Sequence, residues 1–176
     1  MCGDLMRRFS GRAGRDVQVE SGKAAATNVR RFRPEDLDAV MAVAAESPEV
    51  ASWSRQSYVK FAEENGSLAL VLETNGRISG FLVGRWVGDQ AEVLNLAVRN
   101  SHRGKGEGRT LLTAALGEFA STGGKSVYLE VRESNTSAIS FYEKHGFAKM
   151  GLRKGYYREP DEGAVTMEKK LTGSIA

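Results

Sequence analysis

The segment Arg103-Gly104-Lys105-Gly106-Glu107-Gly108-Arg109 is the first stretch of this chain whose residue types point to chemistry rather than folding. Glycine at alternate positions leaves the backbone bare, so a ligand can reach main-chain N–H groups that a Cβ would shield. A helix is expected to follow, and its first turn directs unpaired N–H groups and a partial positive charge toward an anion. With Arg99, His102, Arg103, Lys105 and Arg109 close by, the loop favours a multiply charged phosphate ligand over a neutral one. The same residues also fit a flexible basic loop leading into a helix. A Walker A loop requires four residues between its first glycine and Gly-Lys-Ser/Thr. Here only three separate Gly104 from Gly108, and Arg109 stands in the lysine position. A dinucleotide fingerprint requires G-x-G-x-x-G within a parallel βαβ unit, whereas these glycines run G-x-G-x-G after a hairpin pattern. Glu130 does stand about 20 residues downstream, where a ribose-binding acid would be, so a nucleotide ligand stays open.

The elements around the loop follow from periodicity and turn chemistry. Asn28 to Phe32 reads as a short strand, and Arg33-Pro34-Glu35 as a helix start with proline in the first turn. Leu37, Val40, Met41 and Ala44 then recur at helical spacing. A second helix is predicted from Ser54 as N-cap to Glu64, ended by Asn65-Gly66. Leu68 to Leu72, Asn75-Gly76 and Ile78 to Val87 form a hairpin, because Asn-Gly takes the positive φ angles of a type I′ turn. A turn at Asp89-Gln90 leads into Glu92 to Val98, completing an antiparallel meander. After the glycine loop the pattern becomes a crossover: a helix to about Ser121, a strand from Ser126 to Val131, and a helix from Thr136 to His145. Gly146 suits the left-handed residue that ends this helix. Strands around Phe147 to Leu152 and Ala164 to Lys169 follow, with a polar turn at Glu159 to Glu162 between them.

Composition bounds the class. At 176 residues the chain is about one domain long. It is 41% hydrophobic and 27% charged, and no apolar run approaches the ~20 residues of a membrane span. The net charge of +3 suggests nucleic acid only until it is divided. Residues 1–26 hold five basic and three acidic groups, leaving 20 basic against 19 acidic among the chain's 25 and 22. That balance is too even for a surface that must neutralise many phosphates. The opening stretch lacks the apolar centre of a secretory signal, so residues 1–26 are read as a disordered tail and 27–176 as a single domain. The lone Cys2 can form no internal disulfide, and its place beside the start speaks against a zinc site or a buried nucleophile, so a reducing cytoplasmic location is expected, without a membrane.

Beyond the loop, further motifs stand in order: Leu129-Glu130-Val131-Arg132 with Asn135, then Ala138-Ile139, Phe141-Tyr142 and Gly146-Phe147, then Arg153 with Tyr156-Tyr157. Together with Arg103, Gly106 and Gly108 as Q/R-x-x-G-x-G/A, they resemble the GNAT superfamily of acetyl-CoA-dependent N-acetyltransferases. Within it they resemble the ribosomal-protein N-terminal alanine acetyltransferase branch, over roughly residues 28–170. The resemblance implies an α/β (α+β) fold: a mixed, mostly antiparallel sheet splayed between its fourth and fifth strands, with helices on both faces. It also implies that backbone groups of Leu96, Ala97 and Val98 pair with the pantetheine of acetyl-CoA. The amides of Arg103, Gly104, Lys105, Gly106, Glu107, Gly108 and Arg109 would hold its pyrophosphate. Transfer would be direct, with no acyl-enzyme and no metal.

Direct aminolysis needs a base and an acid. An α-amine has a pKa of roughly 7.7–8.0 and must lose a proton before it attacks. Glu130, at the end of an apolar strand where desolvation would raise its pKa, is the expected base; by position alone it also fits a surface glutamate. The leaving thiolate must be protonated, and Tyr142 is the expected acid, sharing a helical face with Ala138 and Ile139 as a core tyrosine would. Asn135 is expected at the cofactor or as a helix cap. Tyr156 and Tyr157 alternate on a strand, so one would clamp the substrate peptide while the other packs.

Two residues depart from the family pattern. Glu107 replaces an apolar residue and would repel the pyrophosphate, lowering cofactor affinity. Gly163 stands where close relatives often carry an acid. The expected acceptor is the α-amine of a protein N-terminus, with a small-subunit ribosomal protein as leading candidate, acted on by a monomer or weak homodimer. Alternatives are an acetyltransferase for lysine side chains or small-molecule amines, and a non-catalytic CoA- or nucleotide-binding module. A cationic small acceptor calls for an acidic pocket, and only Glu159, Asp161 and Glu162 cluster.

Overall fold

A computed structural model describes residues 26–51, 53–158 and 160–171. The expected tail, Cys2 and Glu159 lie outside the described residues, apart from Ala26. Seven strands form one sheet in the order β1-β2-β3-β4-β5-β7-β6. β1 is Thr27–Arg31, β2 Ser67–Thr74, β3 Arg77–Val87, β4 Gln90–Val98, β5 Ser126–Arg132, β6 Ala148–Arg158 and β7 Asp161–Lys170. The helices are α1 (Leu37–Ala45), α2 (Arg55–Glu63), α3 (Glu107–Ser121) and α4 (Thr136–Lys144). Every strand pairing is antiparallel except β4 with β5, because the α3 crossover must return the chain in the same direction.

Local chemistry sets several of these boundaries. Asn75 at φ 52 and Gly76 at φ 76 make the expected type I′ turn between β2 and β3. The Ser54 hydroxyl accepts from the Ser57 N–H at 3.1 Å and so caps α2. The first helix departs from expectation in its opening turn, which is 3-10 over Pro34–Asp36 before α1 begins at Leu37. There Asp36 turns its carboxylate back to the Arg33 N–H and to Arg30. β6 and β7 run further than expected, to Arg158 and from Asp161. β6 is exposed along nearly its whole length, so it lacks the apolar alternation that marks a half-buried strand.

The sheet is sandwiched. α1 and α2 cover one face through Val40, Val43, Tyr58, Val71 and Phe81. α3 and α4 cover the other through Leu82, Leu111, Leu112, Phe119 and Ile139. Among the described residues no helix is long and apolar enough to cross a membrane.

One irregularity shapes everything that follows. β4 pairs with β5 only from Gln90↔Ser126 to Val93↔Leu129. Against β3, Val83 pairs with Asn95 but Gly84 pairs with Val93, so Leu94 is an extra residue. Such a bulge bends its strand and ends regular pairing. Beyond it β4 parts from β5, and the expected splay between the fourth and fifth strands is the result.

Candidate active site

The splay opens into a cleft of about 550 Å³. Leu96, Ala97 and Val98 line it from the free edge of β4, and Glu130 from β5. Asn135 and Tyr142 enter from α4, and Tyr157 from β6. Arg103, Gly104, Gly106, Gly108 and Arg109 close one end. Among the residues expected at the site, the side chains of Lys105, Glu107 and Tyr156 are absent from this lining.

The glycine loop does what alternate glycines permit. Gly104 and Gly106 adopt φ 74 and 85, and Gly106 is the N-cap of α3. No side chain caps that helix, which leaves its first N–H groups for another acceptor. A Cβ on Gly108 would stand 3.6 Å from the Phe141 ring and 3.8 Å from Leu96, inside the cradle between two cleft residues. The bare backbone and open helix terminus therefore fit a diphosphate.

Two arginines at the loop are also engaged outside it. Arg103 donates through Nε to the Val98 carbonyl at 3.1 Å, and through Nη2 to Ser47 Oγ at 2.7 Å and Glu49 Oε1 at 2.9 Å. Arg99 Nη1 and the Asn100 N–H donate to Glu46 at 2.7 and 2.8 Å. These two arginines thus tie the loop to the end of α1.

Glu107 corrects an expectation. Its carboxylate does not face the cleft; it is buried, and Oε1 accepts from the Thr74 hydroxyl at 2.8 Å and meets His102 Nδ1 at 2.7 Å. Burial alone would raise its pKa, but hydrogen bonds from Ser79, His102 and Thr74 together outweigh that and leave it lowered. The charge that would repel a pyrophosphate is held inside the domain by three neighbouring side chains.

Glu130 does not stand isolated at an apolar strand end. Its Oε1 is ion-paired with Arg153 Nη1, and the Tyr156 hydroxyl is pushed up to about 12, chiefly by its hydrogen bond to Glu130 and then by burial. Tyr142 packs its ring edge-on to Phe141 and Phe147, with centroids at 5.1 and 5.5 Å. No described residue accepts a hydrogen bond from its hydroxyl. Burial raises its pKa above the ordinary phenol value, with a further push from Tyr157. The packed ring fixes where the hydroxyl points, and the residue lines the cleft.

Asn135 and the tyrosine pair have definite places, and the two tyrosines do not point to opposite faces as expected: their rings meet edge to face, 5.0 Å between centroids. Asn135 Oδ1 accepts from the Ala138 N–H at 3.1 Å, so it caps α4 while also lining the cleft. Of the two tyrosines, Tyr157 faces the cleft under the Arg132 guanidinium, 4.0 Å from its ring centroid. Tyr156 lies outside the lining, 4.5 Å from Arg153, and is 43% exposed. Sequence reasoning missed Phe141 as a wall, Ser47 to Ala51 as another, and the buried Asn95. A single asparagine in an apolar strand was the only signal for the last.

Residues 37–147 match the Acetyltransferase (GNAT) family. The chain belongs to that family. A Bacillus subtilis (strain 168) protein, named as a candidate ribosomal protein bS18-alanine N-acetyltransferase, is 35% identical over 141 residues, which is 79% of this chain and 92% of the relative. The crystal structure of the ribosomal-protein-S18-alanine N-acetyltransferase from Escherichia coli superposes with TM-score 0.73 at 28% identity, covering 86% of this chain and 99% of that one. An N-acetyltransferase from Thermoplasma acidophilum, solved in complex with coenzyme A, shares the fold with TM-score 0.72 over 83% of this chain and 99% of that one, at 23% identity. This GNAT acetyltransferase thus has the mixed, mostly antiparallel sheet, splayed between its fourth and fifth strands, that the resemblance implied.

Proposed function

We propose that the protein transfers the acetyl group of acetyl-CoA to the α-amine of a protein N-terminus, with the N-terminal alanine of ribosomal protein bS18 as acceptor. One observation carries the chemistry: a single cleft joins the open N-terminus of α3, the unpaired edge of β4, and the side chains of Glu130 and Tyr142. The names of the relatives support the acceptor.

Acetyl-CoA supplies the activated acyl group. The amides of Arg103 to Arg109 would hold its diphosphate, and main-chain groups along Leu96 to Val98, where β5 no longer pairs and apart from the Val98 carbonyl taken by Arg103, would hold its pantetheine. Glu130 takes the proton of the incoming ammonium, directly or through water, and Arg153 orients its carboxylate. Tyr142 donates a hydrogen bond to the departing sulfur as the C–S bond breaks, and the second proton released by the attacking nitrogen ends on that thiolate. The raised pKa of Tyr142 keeps it a donor throughout the neutral range, and a thiol's ordinary pKa of about 8.5 lies well below that of the phenol. The ring therefore acts mainly by hydrogen bonding to developing negative charge. Tyr157 faces the acceptor end, where its hydroxyl can hold a peptide backbone.

Incubation with acetyl-CoA and a peptide beginning with alanine should release free thiol and acetylate the peptide at its α-amine. Release of thiol with lysine side chains or small amines but not with this peptide would replace the acceptor. No release with any amine would defeat the reading.

A further inference from the structure

One wall of the cleft does not come from the sheet. Ser47, Glu49, Val50 and Ala51 lie between α1 and α2 in a segment with no helix or strand of its own. Within it the Val50 N–H reaches the Ser47 carbonyl at 3.1 Å, and its remaining polar groups need partners from outside the segment. Its first half is held by Arg99 and Arg103, as described above. Its far end is held by one residue from β4. Asn95 Oδ1 accepts from the Ala51 N–H at 3.0 Å, and Asn95 Nδ2 donates to the Ala51 carbonyl at 3.1 Å. The carboxamide pairs with both main-chain groups of one residue, as a neighbouring strand would.

Asn95 can do this only because of the bulge. Val93 and Leu96 both pack toward α3, while Leu94 and Ala97 pack toward α1 and α2. Two residues therefore separate Val93 from Leu96, where regular alternation allows one. The extra position lets Asn95 reach the α1–α2 side at the point where β4 leaves β5. It is 4% exposed. A carboxamide there would be costly without partners; it pairs with both main-chain groups of Ala51, and the Tyr58 hydroxyl of α2 also meets it.

We infer that Asn95 is a positioning residue for the acceptor: it pins the wall formed by residues 47–51 at its Ala51 end and so sets the width of the cleft opposite Glu130 and Tyr157. The inference rests on the acetyl-transfer reading above. It predicts a separation of effects, since Asn95 touches the acceptor wall and not the glycine loop.

Steady-state kinetics with acetyl-CoA and an alanine-led peptide, together with hydrogen exchange on the intact protein, tests it. Asn95→Leu keeps volume and loses both hydrogen bonds. It should raise the peptide KM about tenfold, while the acetyl-CoA KM stays within about twofold. Exchange should quicken over residues 47–51 and not in β2 or β3. Peptide and acetyl-CoA KM values rising in parallel, or unchanged exchange at Ala51, overturns the inference. Should Asn95→Leu fail to fold, Asn95→Ala takes its place, and the wild type alone still decides: fast exchange of the Ala51 amide would sink the pin. If the wild type acetylates no amine, it is the functional reading that fails, and exchange continues to judge the pin separately.

Discussion

Arg153 of β6 reaches over β7 to pair with Glu130 of β5. The carboxylate proposed as base is therefore oriented by a strand that is not its neighbour in the sheet, and the outermost strand takes part in the site. The Glu130 side chain is 15% exposed against 59% for Arg153, so the pair sits at the cleft rim with the carboxylate innermost.

Glu130→Gln removes the proton acceptor while keeping shape. The turnover number should fall about 10²–10⁴-fold, the usual range for general acid–base catalysis. Coenzyme A affinity by calorimetry should be unchanged, and a matching loss of affinity would reassign Glu130 to cofactor binding.

Tyr142→Phe should lower turnover by about tenfold or more, and stability only slightly, since the ring still packs on Phe141 and Phe147. Because burial raises the phenol pKa, the wild-type rate should show no loss from tyrosine ionisation as pH rises to about 10. A descending limb near pH 8–9 that disappears in Tyr142→Phe would contradict this.

Glu107→Ala leaves the buried Thr74 hydroxyl and the half-buried His102 imidazole without their shared acceptor. A loss of about 1–3 kcal/mol is expected, or roughly 2–4 °C in Tm for each kcal/mol in a domain of this size. Coenzyme A affinity should not rise, as it would if the carboxylate faced the diphosphate. A gain in affinity on calorimetry would restore the repulsive role.

Acid should unfold the protein through specific carboxylates. Asp36 is lowered mainly by its hydrogen bond from Arg30, with burial opposing. Glu107 is lowered as well, where hydrogen bonds outweigh burial. A depressed folded pKa adds stability that is complete above the unfolded value and is lost as pH falls through the folded one. Denaturant midpoints should therefore hold down to about pH 5 and decline below about pH 4. Asp36→Asn should flatten that decline; an unaltered slope would remove Asp36 from the account.

Most of the meander and the crossover were legible because their signals are local. Asn75-Gly76, Ser54 and Gly146 act within a few residues, and apolar periodicity marks any element that is half-buried. The 3-10 opening before α1 and the length of β6 were not legible: the first depends on Arg30 meeting Asp36, and the second on pairing with β7 by a strand that buries almost nothing. Within the site, the glycine loop announced an anion-binding backbone, but its neighbouring charges misled. Arg103 lines the cleft but is also engaged by Ser47 and Glu49, and Glu107, read as repelling the ligand, turns instead to Thr74.

By itself the amino-acid order determined the elements, the bare-backbone loop at a helix N-terminus, and the ordered motifs that place the chain among GNAT acetyltransferases, since propensity, turn chemistry and spacing are properties of neighbouring residues. Only the tertiary structure decided that Tyr157 rather than Tyr156 faces the cleft, that Arg153 holds Glu130, that Glu107 turns inward, and that one extra residue in β4 swings Asn95 toward Ala51. Each of these depends on which distant side chain a group meets when the sheet closes, and on a one-residue shift in strand register that leaves no mark in local sequence.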